Sequence, residues 1–170
     1  MDHPDPTEIL QRTIALATAN VADGGGPFGA VVRLPGGELV EGVNRVTASN
    51  DPTAHAEVAA IREACARTRS PDLRGAVLYS SCEPCPMCLA AALWARLDLV
   101  VFAAGRGDAA RAGFDDSAFY DYFARPGHTP CSPSSSTGTR TRSTPSTRGS
   151  PTRDAPPTDR RGSPGRSGRR

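Results

Sequence analysis

Two short stretches of this 170-residue chain gather residue types that bind metals and carry protons. Thr53-Ala54-His55-Ala56-Glu57 sets a histidine two positions before a glutamate, and Ser81-Cys82-Glu83-Pro84-Cys85-Pro86-Met87-Cys88 holds three of the 5 cysteines. A CxxC alone fits a metal site, a redox pair or plain packing. An HxE upstream of a PCxxC changes the balance, because neither a redox pair nor a structural zinc accounts for the histidine and the acid. Residues i and i+3 share a helix face, so Cys85 and Cys88 can offer both sulfurs to one ion, and a helix N-terminus favours thiolate over thiol. With His55 as third ligand, tetrahedral zinc keeps its fourth position for water, which is the mark of a catalytic site. Glu57, two residues from His55, does not share its direction on a regular helix; it suits the role of proton carrier beside that water.

The remaining cysteines read more plainly. Cys82 offers an alternative CxxC register with Cys85, but a proline precedes Cys85 and not Cys82, so Cys85 is preferred. Cys65, between Ala64 and Ala66 on a helical stretch, reads as a packing residue, and Cys131 as a free thiol. Met87 and Trp94 read as packing near the site. Gly24 to Gly26 reads as a turn and not a phosphate cradle, since no GxxxxGK follows and no strand feeds it. Tyr79, Arg96 and Arg45 receive no role.

Local pattern supplies the elements that would hold these residues. Asp5-Pro6-Thr7-Glu8 is a helix start, with Asp5 as N-cap, Pro6 at the first helical position and Glu8 able to reach back in a capping box. Ile9, Leu10, Ile14, Ala17 and Val21 then form an apolar stripe, ended by Gly24-Gly25-Gly26-Pro27. Phe28 to Leu34 reads as a buried strand, Pro35 to Glu38 as a turn, and Leu39 to Asn44 as the antiparallel return. The pattern is helical from Ala54 to Thr68, extended from Ala76 to Ser80, helical from Pro84 to Ala95 and extended from Leu99 to Ala104. A weak helix near Asp108 to Ala112 and another from Ser117 to about Phe123 follow. His55 and Cys85 would each open a helix. The late strand-helix-strand stretch predicts a parallel pair, and the whole order an α/β fold, a three-layer α/β/α sandwich around a mixed sheet.

Composition divides the chain. All 20 basic residues are arginine. Residues 131–170 hold nine of them against Asp154 and Asp159, so 9 − 2 = +7, and residues 1–130 hold eleven against sixteen acids, so 11 − 16 = −5. The basic stretch contains no Val, Ile, Leu, Met, Phe, Tyr or Trp, and cannot bury enough apolar surface to offset the roughly 1 to 2 kcal/mol per residue that ordering costs. The expected organisation is one domain over 1–126 and a disordered Arg/Ser/Thr/Pro-rich tail over 127–170. No run approaches the roughly 18 to 20 apolar residues that cross a bilayer, and the start lacks the profile of a secretory signal, so a cytoplasmic protein without membrane contact is expected.

The HxE and PCxxC elements are those of zinc deaminases, and at these residues the chain resembles the cytidine deaminase-like superfamily, most of all its small bacterial-type guanine deaminases. The resemblance runs from the first helix to about Pro126. It includes Gly26-Pro27-Phe28-Gly29-Ala30-Val31, the stretch from Ser49 to Glu57, the cysteine motif, and Ala112-Gly113-Phe114-Asp115-Asp116. Thr-Ala-His-Ala-Glu and Pro-Cys-x-Met-Cys are shared with tRNA adenosine deaminases; the full cysteine motif and Ala-Gly-Phe-Asp-Asp favour guanine.

The resemblance implies one zinc per chain on His55, Cys85 and Cys88, with Glu57 as proton shuttle, in the hydrolysis of guanine to xanthine and ammonia. It implies that Asn44 hydrogen-bonds the purine, that Phe28 packs on it, that Asp116 accepts from its polar edge and that Ala54 lies beside it. From the residues alone, Phe28 is more often a core side chain and Asp116 a solvated or helix-capping acid; the resemblance is what gives them a role at the substrate. A cytidine, cytosine or tRNA adenosine deaminase is the alternative, and a catalytically silent deaminase-fold binding module the rival from another class. The acidic body argues against a polyanionic RNA partner, while the basic tail is compatible with one. Guanine deaminases of this type close the site of a homodimer with a swapped, aromatic-bearing C-terminal segment. Here the match ends at about Arg125-Pro126, which implies either a shifted reading frame or an arginine-rich tail for a polyanion, and an enzyme impaired by the loss of its lid.

Overall fold

The computed structural model of the chain describes residues 5–125. The expectations for the tail and for Cys131 lie outside the described residues. The order of elements is α1 (Pro6–Ala22), β1 (Gly29–Arg33), β2 (Leu39–Val43), α2 (Val46–Ser49), α3 (Ala56–Thr68), β3 (Val77–Cys82), α4 (Pro86–Trp94), β4 (Leu99–Ala104), α5 (Arg106–Arg111) and α6 (Ser117–Ala124). Sequence pattern anticipates all of these except α2, a single turn too short to carry a periodic signal.

The strands form one sheet in the order β2-β1-β3-β4. β1 pairs antiparallel with β2 (Val31 opposite Glu41) and with β3 (Val31 opposite Tyr79), and β3 pairs parallel with β4 (Val77 opposite Leu99). The mixed sheet and the parallel pair across α4 are as expected. Side chains alternate across the strands. Ala30, Val32, Val40 and Leu78 pack on one side with Ala56, Ala60 and Ile61 of α3 and Ala92 of α4. Val31, Val77 and Tyr79 pack on the other with Ile9 of α1. The result is three layers, and Tyr79 is a core residue. Gly42 sets the spacing on the α3 side: a Cβ there would lie 2.3 Å from the Ala56 carbonyl oxygen and 2.4 Å from the Ala60 nitrogen. Its absence lets the first turn of α3, which carries Glu57, rest directly on the sheet.

Asp5 caps α1, its carboxylate accepting from the Thr7 N–H at 3.0 Å. The buried face of this helix differs from the expected stripe. Ile9, Thr13, Ala17 and Asn20 are buried, while Ile14 and Val21 are 48% and 53% exposed. Two polar residues tolerate burial here because the backbone receives their protons: Thr13 donates to the Leu10 carbonyl at 2.7 Å, and Asn20 to those of Gly26 and Asn44 at 2.8 and 2.7 Å. Trp94 also departs from expectation, lying 80% exposed at the end of α4, whose buried residues are Cys88 and Ala92. Spacing of i, i+4 turns that face to the core and Leu93 and Trp94 away from it. Among the described residues no helix is long and apolar enough to cross a membrane.

Candidate metal centre and active-site cavity

Two helices begin at residues able to hold a metal. His55 is the N-cap residue of α3 and Cys85 that of α4, both with extended backbone, and Pro86 starts α4 at the position where its missing N–H costs nothing. Cys88 sits within the first turn of α4, one turn from Cys85. The approach to His55 is fixed by Asp51, whose side chain accepts from the Thr53 N–H at 2.8 Å and the Thr53 hydroxyl at 2.7 Å. Those bonds hold the Asp51 carboxyl below its usual value. Ala54 continues this loop; its carbonyl accepts from the Arg45 N–H at 2.9 Å, and Ala54 is not among the residues lining the cavity described below.

The His55 Nδ1, Cys85 Sγ and Cys88 Sγ atoms form a triangle. The two sulfurs are 3.6 Å apart, and Nδ1 lies 3.7 Å from Cys85 Sγ and 3.5 Å from Cys88 Sγ. Zinc bonds of about 2.3 Å to sulfur and about 2.0 to 2.1 Å to nitrogen, set at tetrahedral angles, separate ligand atoms by roughly 3.5 to 3.8 Å. The residues therefore fit zinc without rearrangement. The three groups also shift one another's titration. A hydrogen bond from Cys88, helped by His55, brings the Cys85 thiol down to about 4, while the Cys88 thiol and the His55 imidazole are both raised, each chiefly by its bond with Cys85. Cys82 stands outside this group: it is buried, and its Sγ lies 3.8 Å from the Gly105 carbonyl oxygen. Cys65 packs against the core, as expected.

Glu57 lies beside the triangle and is buried, 6% exposed. Its Oε1 accepts from the Ser80 hydroxyl at 3.1 Å, and its Oε2 is 3.4 Å from Cys88 Sγ. Burial raises its carboxyl above the ordinary value, against the pull of those bonds.

A cavity of about 300 Å³ opens onto His55, Glu57 and Cys85. Asn44, Phe28 and Asp116, expected from sequence to meet a ligand, all line it. Asn44 stands at the end of β2, where its side-chain oxygen accepts from the Val46 N–H at 3.3 Å. Gly26 must be glycine for this placement, since a Cβ would fall 2.7 Å from that oxygen. Phe28 packs against the core and also lines the cavity. Asp116 occupies the N-cap position of α6, yet makes no capping bond; Asp115 accepts from the Ser117 N–H at 2.9 Å instead. The Asp116 carboxyl is raised, first by burial and then by the charge of Cys85.

Sequence reasoning passed over several residues that shape this site. Asn20 ties together the backbones of Gly26 and Asn44. Glu83 accepts from the Arg106 N–H at 3.0 Å and pairs with the Arg106 guanidinium at 3.4 Å, which in turn lies 4.4 Å above the Tyr120 ring. The Tyr120 hydroxyl donates to the Pro84 carbonyl at 3.0 Å, fastening α6 to the loop before Cys85. Ser80 gave one signal in the sequence, a hydroxyl at the end of the apolar run from Ala76 to Tyr79.

Residues 5–104 match the family described as the cytidine and deoxycytidylate deaminase zinc-binding region. The chain is 54% identical over 119 residues to the guanine deaminase of Bacillus subtilis (strain 168), a match spanning 69% of this chain and 76% of that protein. An X-ray structure of guanine deaminase from Bacillus subtilis matches with a TM-score of 0.69 at 52% identity, over 74% of this chain and 79% of the other. A structure of guanine deaminase from Nitrosomonas europaea matches with a TM-score of 0.62 at 34% identity, over 65% of each chain. With its paired helix starts and the His55, Cys85 and Cys88 triangle on one cavity, this chain belongs to the cytidine and deoxycytidylate deaminase family.

Proposed function

We propose that this chain is a zinc-dependent guanine deaminase, converting guanine and water to xanthine and ammonia. The observation that carries the reading is the meeting, on one cavity, of the His55, Cys85 and Cys88 triangle, the buried Glu57, and the polar and aromatic groups of Asn44, Phe28 and Asp116. Its 54% identity to a guanine deaminase supports guanine over a pyrimidine or a tRNA adenosine.

His55, Cys85 and Cys88 would hold one zinc per chain. When bound, zinc supplies the Lewis acidity that makes water a nucleophile at neutral pH. Glu57 accepts a proton from the attacking water as the water oxygen adds to the ring carbon bearing the exocyclic amine, and passes it to the adjacent ring nitrogen. It then helps deliver the proton with which the carbon–nitrogen bond breaks and ammonia leaves. Atoms balance as guanine plus water against xanthine plus ammonia, with no oxidation or reduction. A carboxyl raised by burial suits a group that must both take and release a proton. Asn44 offers its side-chain NH₂ to the purine, Phe28 packs on the base, Asp116 accepts N–H groups from its polar edge, and Ala54 belongs to the loop beside it.

We place the enzyme in the cytoplasm, and as a homodimer where its C-terminal segment permits one. Exposed Leu93 and Trp94 at the end of α4, and Leu99 and Phe102 on the edge strand β4, are apolar surface of the kind an interface covers.

The test is release of xanthine and ammonia from guanine by zinc-loaded protein, with cytidine, cytosine and adenosine-containing RNA in parallel and Glu57→Gln as control. Xanthine formation lost in a variant that keeps its zinc supports the reading. Absence of xanthine from zinc-loaded protein that turns over cytidine, cytosine or the RNA refutes it.

A further inference from the structure

We propose that Ser80 is a positioning residue for this deamination: its hydroxyl anchors one oxygen of Glu57 and so commits the other to the side of the cavity where the metal ligands stand. The inference rests on the reading of Glu57 as the proton carrier.

The two Glu57 oxygens have different surroundings. Oε1 takes the Ser80 proton at 3.1 Å, whereas Oε2 lies 3.4 Å from Cys88 Sγ, on the ligand side. A cysteine that ligates a metal has no S–H to donate. Ser80 is then the side-chain donor to Glu57 among the described residues, acting beside the glutamate's own backbone N–H, and its bond holds Oε1.

The anchor itself is well fixed. Ser80 is 1% exposed and lies in an inner strand, paired with Ala30 on β1 and Phe102 on β4. Alternation puts it on the same side of the sheet as Leu78, in a row otherwise filled by apolar core, so the position favours an apolar side chain on packing grounds alone. The hydroxyl oxygen lies 3.5 Å from the Cys82 N–H, which can donate to it and leave its own proton directed at the carboxylate. A carboxylate on a glutamate stem can rotate, but a proton carrier must lie within hydrogen-bond reach of the reacting atoms. Displacement of such a group by about 1 Å costs on the order of a hundredfold in rate. Removal of the Ser80 hydroxyl therefore lowers kcat while leaving the groups that line the cavity for the purine untouched.

Ser80→Thr and Ser80→Val make a matched pair, differing in a hydroxyl against a methyl at nearly equal volume. In the full-length, zinc-loaded protein, Ser80→Val should lower kcat on guanine by about tenfold to a hundredfold. Its KM should change less than about twofold, while Ser80→Thr recovers most of the rate. A second measurement does not depend on turnover. The carboxylate stretch of Glu57, isolated as the infrared difference between unsubstituted protein and Glu57→Gln, should shift in Ser80→Val and hold its place in Ser80→Thr. An unshifted band in Ser80→Val, or equal kcat for the valine and threonine variants, overturns the proposal. If the unsubstituted protein yields no xanthine, the reading of the substrate fails, and the infrared arm still decides whether Ser80 orients Glu57.

Discussion

Phe28 and Phe114 meet edge to face, their ring centroids 5.0 Å apart and their planes at 84°. Phe28 belongs to the segment entering β1, whereas Phe114 comes from the turn between α5 and α6, so this contact joins the core to the outer wall of the cavity. Such a pair contributes about 0.5 to 1.5 kcal/mol beyond the area it buries. Phe114→Ala should therefore raise KM for guanine by roughly twofold to tenfold, leaving zinc content unchanged, as steady-state kinetics and metal analysis would record. A variant with unaltered KM and a depressed kcat would place Phe114 elsewhere in the reaction.

The metal should be needed for rate and should stabilise the fold. Treatment with a chelator should abolish ammonia release, and added zinc should restore it. Binding to the native state alone adds about 2.7 kcal/mol of stability when free zinc is a hundredfold above Kd. Thermal denaturation should accordingly show a higher midpoint with zinc than without. Cys88→Ala should lose this difference, because it removes one corner of the ligand triangle.

Tyr120 offers a probe of the outer wall. Tyr120→Phe keeps the ring under Arg106 and deletes the bond to the Pro84 carbonyl. A neutral hydrogen bond of this kind is worth about 0.5 to 1.5 kcal/mol. Amide hydrogen exchange in α6 should accelerate by roughly twofold to tenfold, and KM for guanine should rise as Asp116 at the head of that helix loosens. Exchange in α3 should not change.

Asp51 gives the loop before His55 a dependence on acid. Its carboxyl is held below the usual value, first by the bonds from Thr53 and to a lesser extent by the charge of Arg62. A depressed folded-state value stabilises the native state above the unfolded value of about 3.9, and this contribution is lost as pH falls through the lower, folded value. Asp51→Asn should be less stable than the unsubstituted protein at neutral pH, and the two should converge in strong acid. Urea midpoints measured from neutral pH down to about pH 3 would show the convergence.

How much could be read from sequence depended on how far apart the cooperating residues lie along the chain. Cys85 and Cys88 are one helical turn apart, and His55 and Cys85 each announce a helix start, so the triangle of His55, Cys85 and Cys88 is legible in the sequence. The strands were visible for the same reason, from short apolar runs between turn residues. Bonds between distant segments left no such trace. Ser80 and Glu57 lie 23 residues apart, as do Arg106 and Glu83, and Tyr120 and Pro84 lie 36 apart. Nothing local to either partner predicts the other. The register of α1 failed for another reason, because Thr13 and Asn20 are polar by type but pass their protons to backbone carbonyls and enter the core, displacing Ile14 and Val21 to the surface. Trp94 shows the converse, a large apolar side chain left outside by the two small residues that define the inner face of α4.

The buried inventory of the molecule stops short of its last two helices. His55, Glu57, Cys85 and Cys88 lie at the two helix starts that rest on the sheet, whereas α5 and α6 contain no buried residue. Arg106, Phe114, Asp116 and Tyr120 thus form a wall that the core does not depend on for its packing. Mutational drift in that wall can alter which amine-bearing ring is admitted at little cost to stability, whereas added bulk at Gly42 is penalised at once. A scaffold divided in this way is adapted to acquiring new substrates while keeping one chemistry, and libraries aimed at altered specificity belong in residues 106–120.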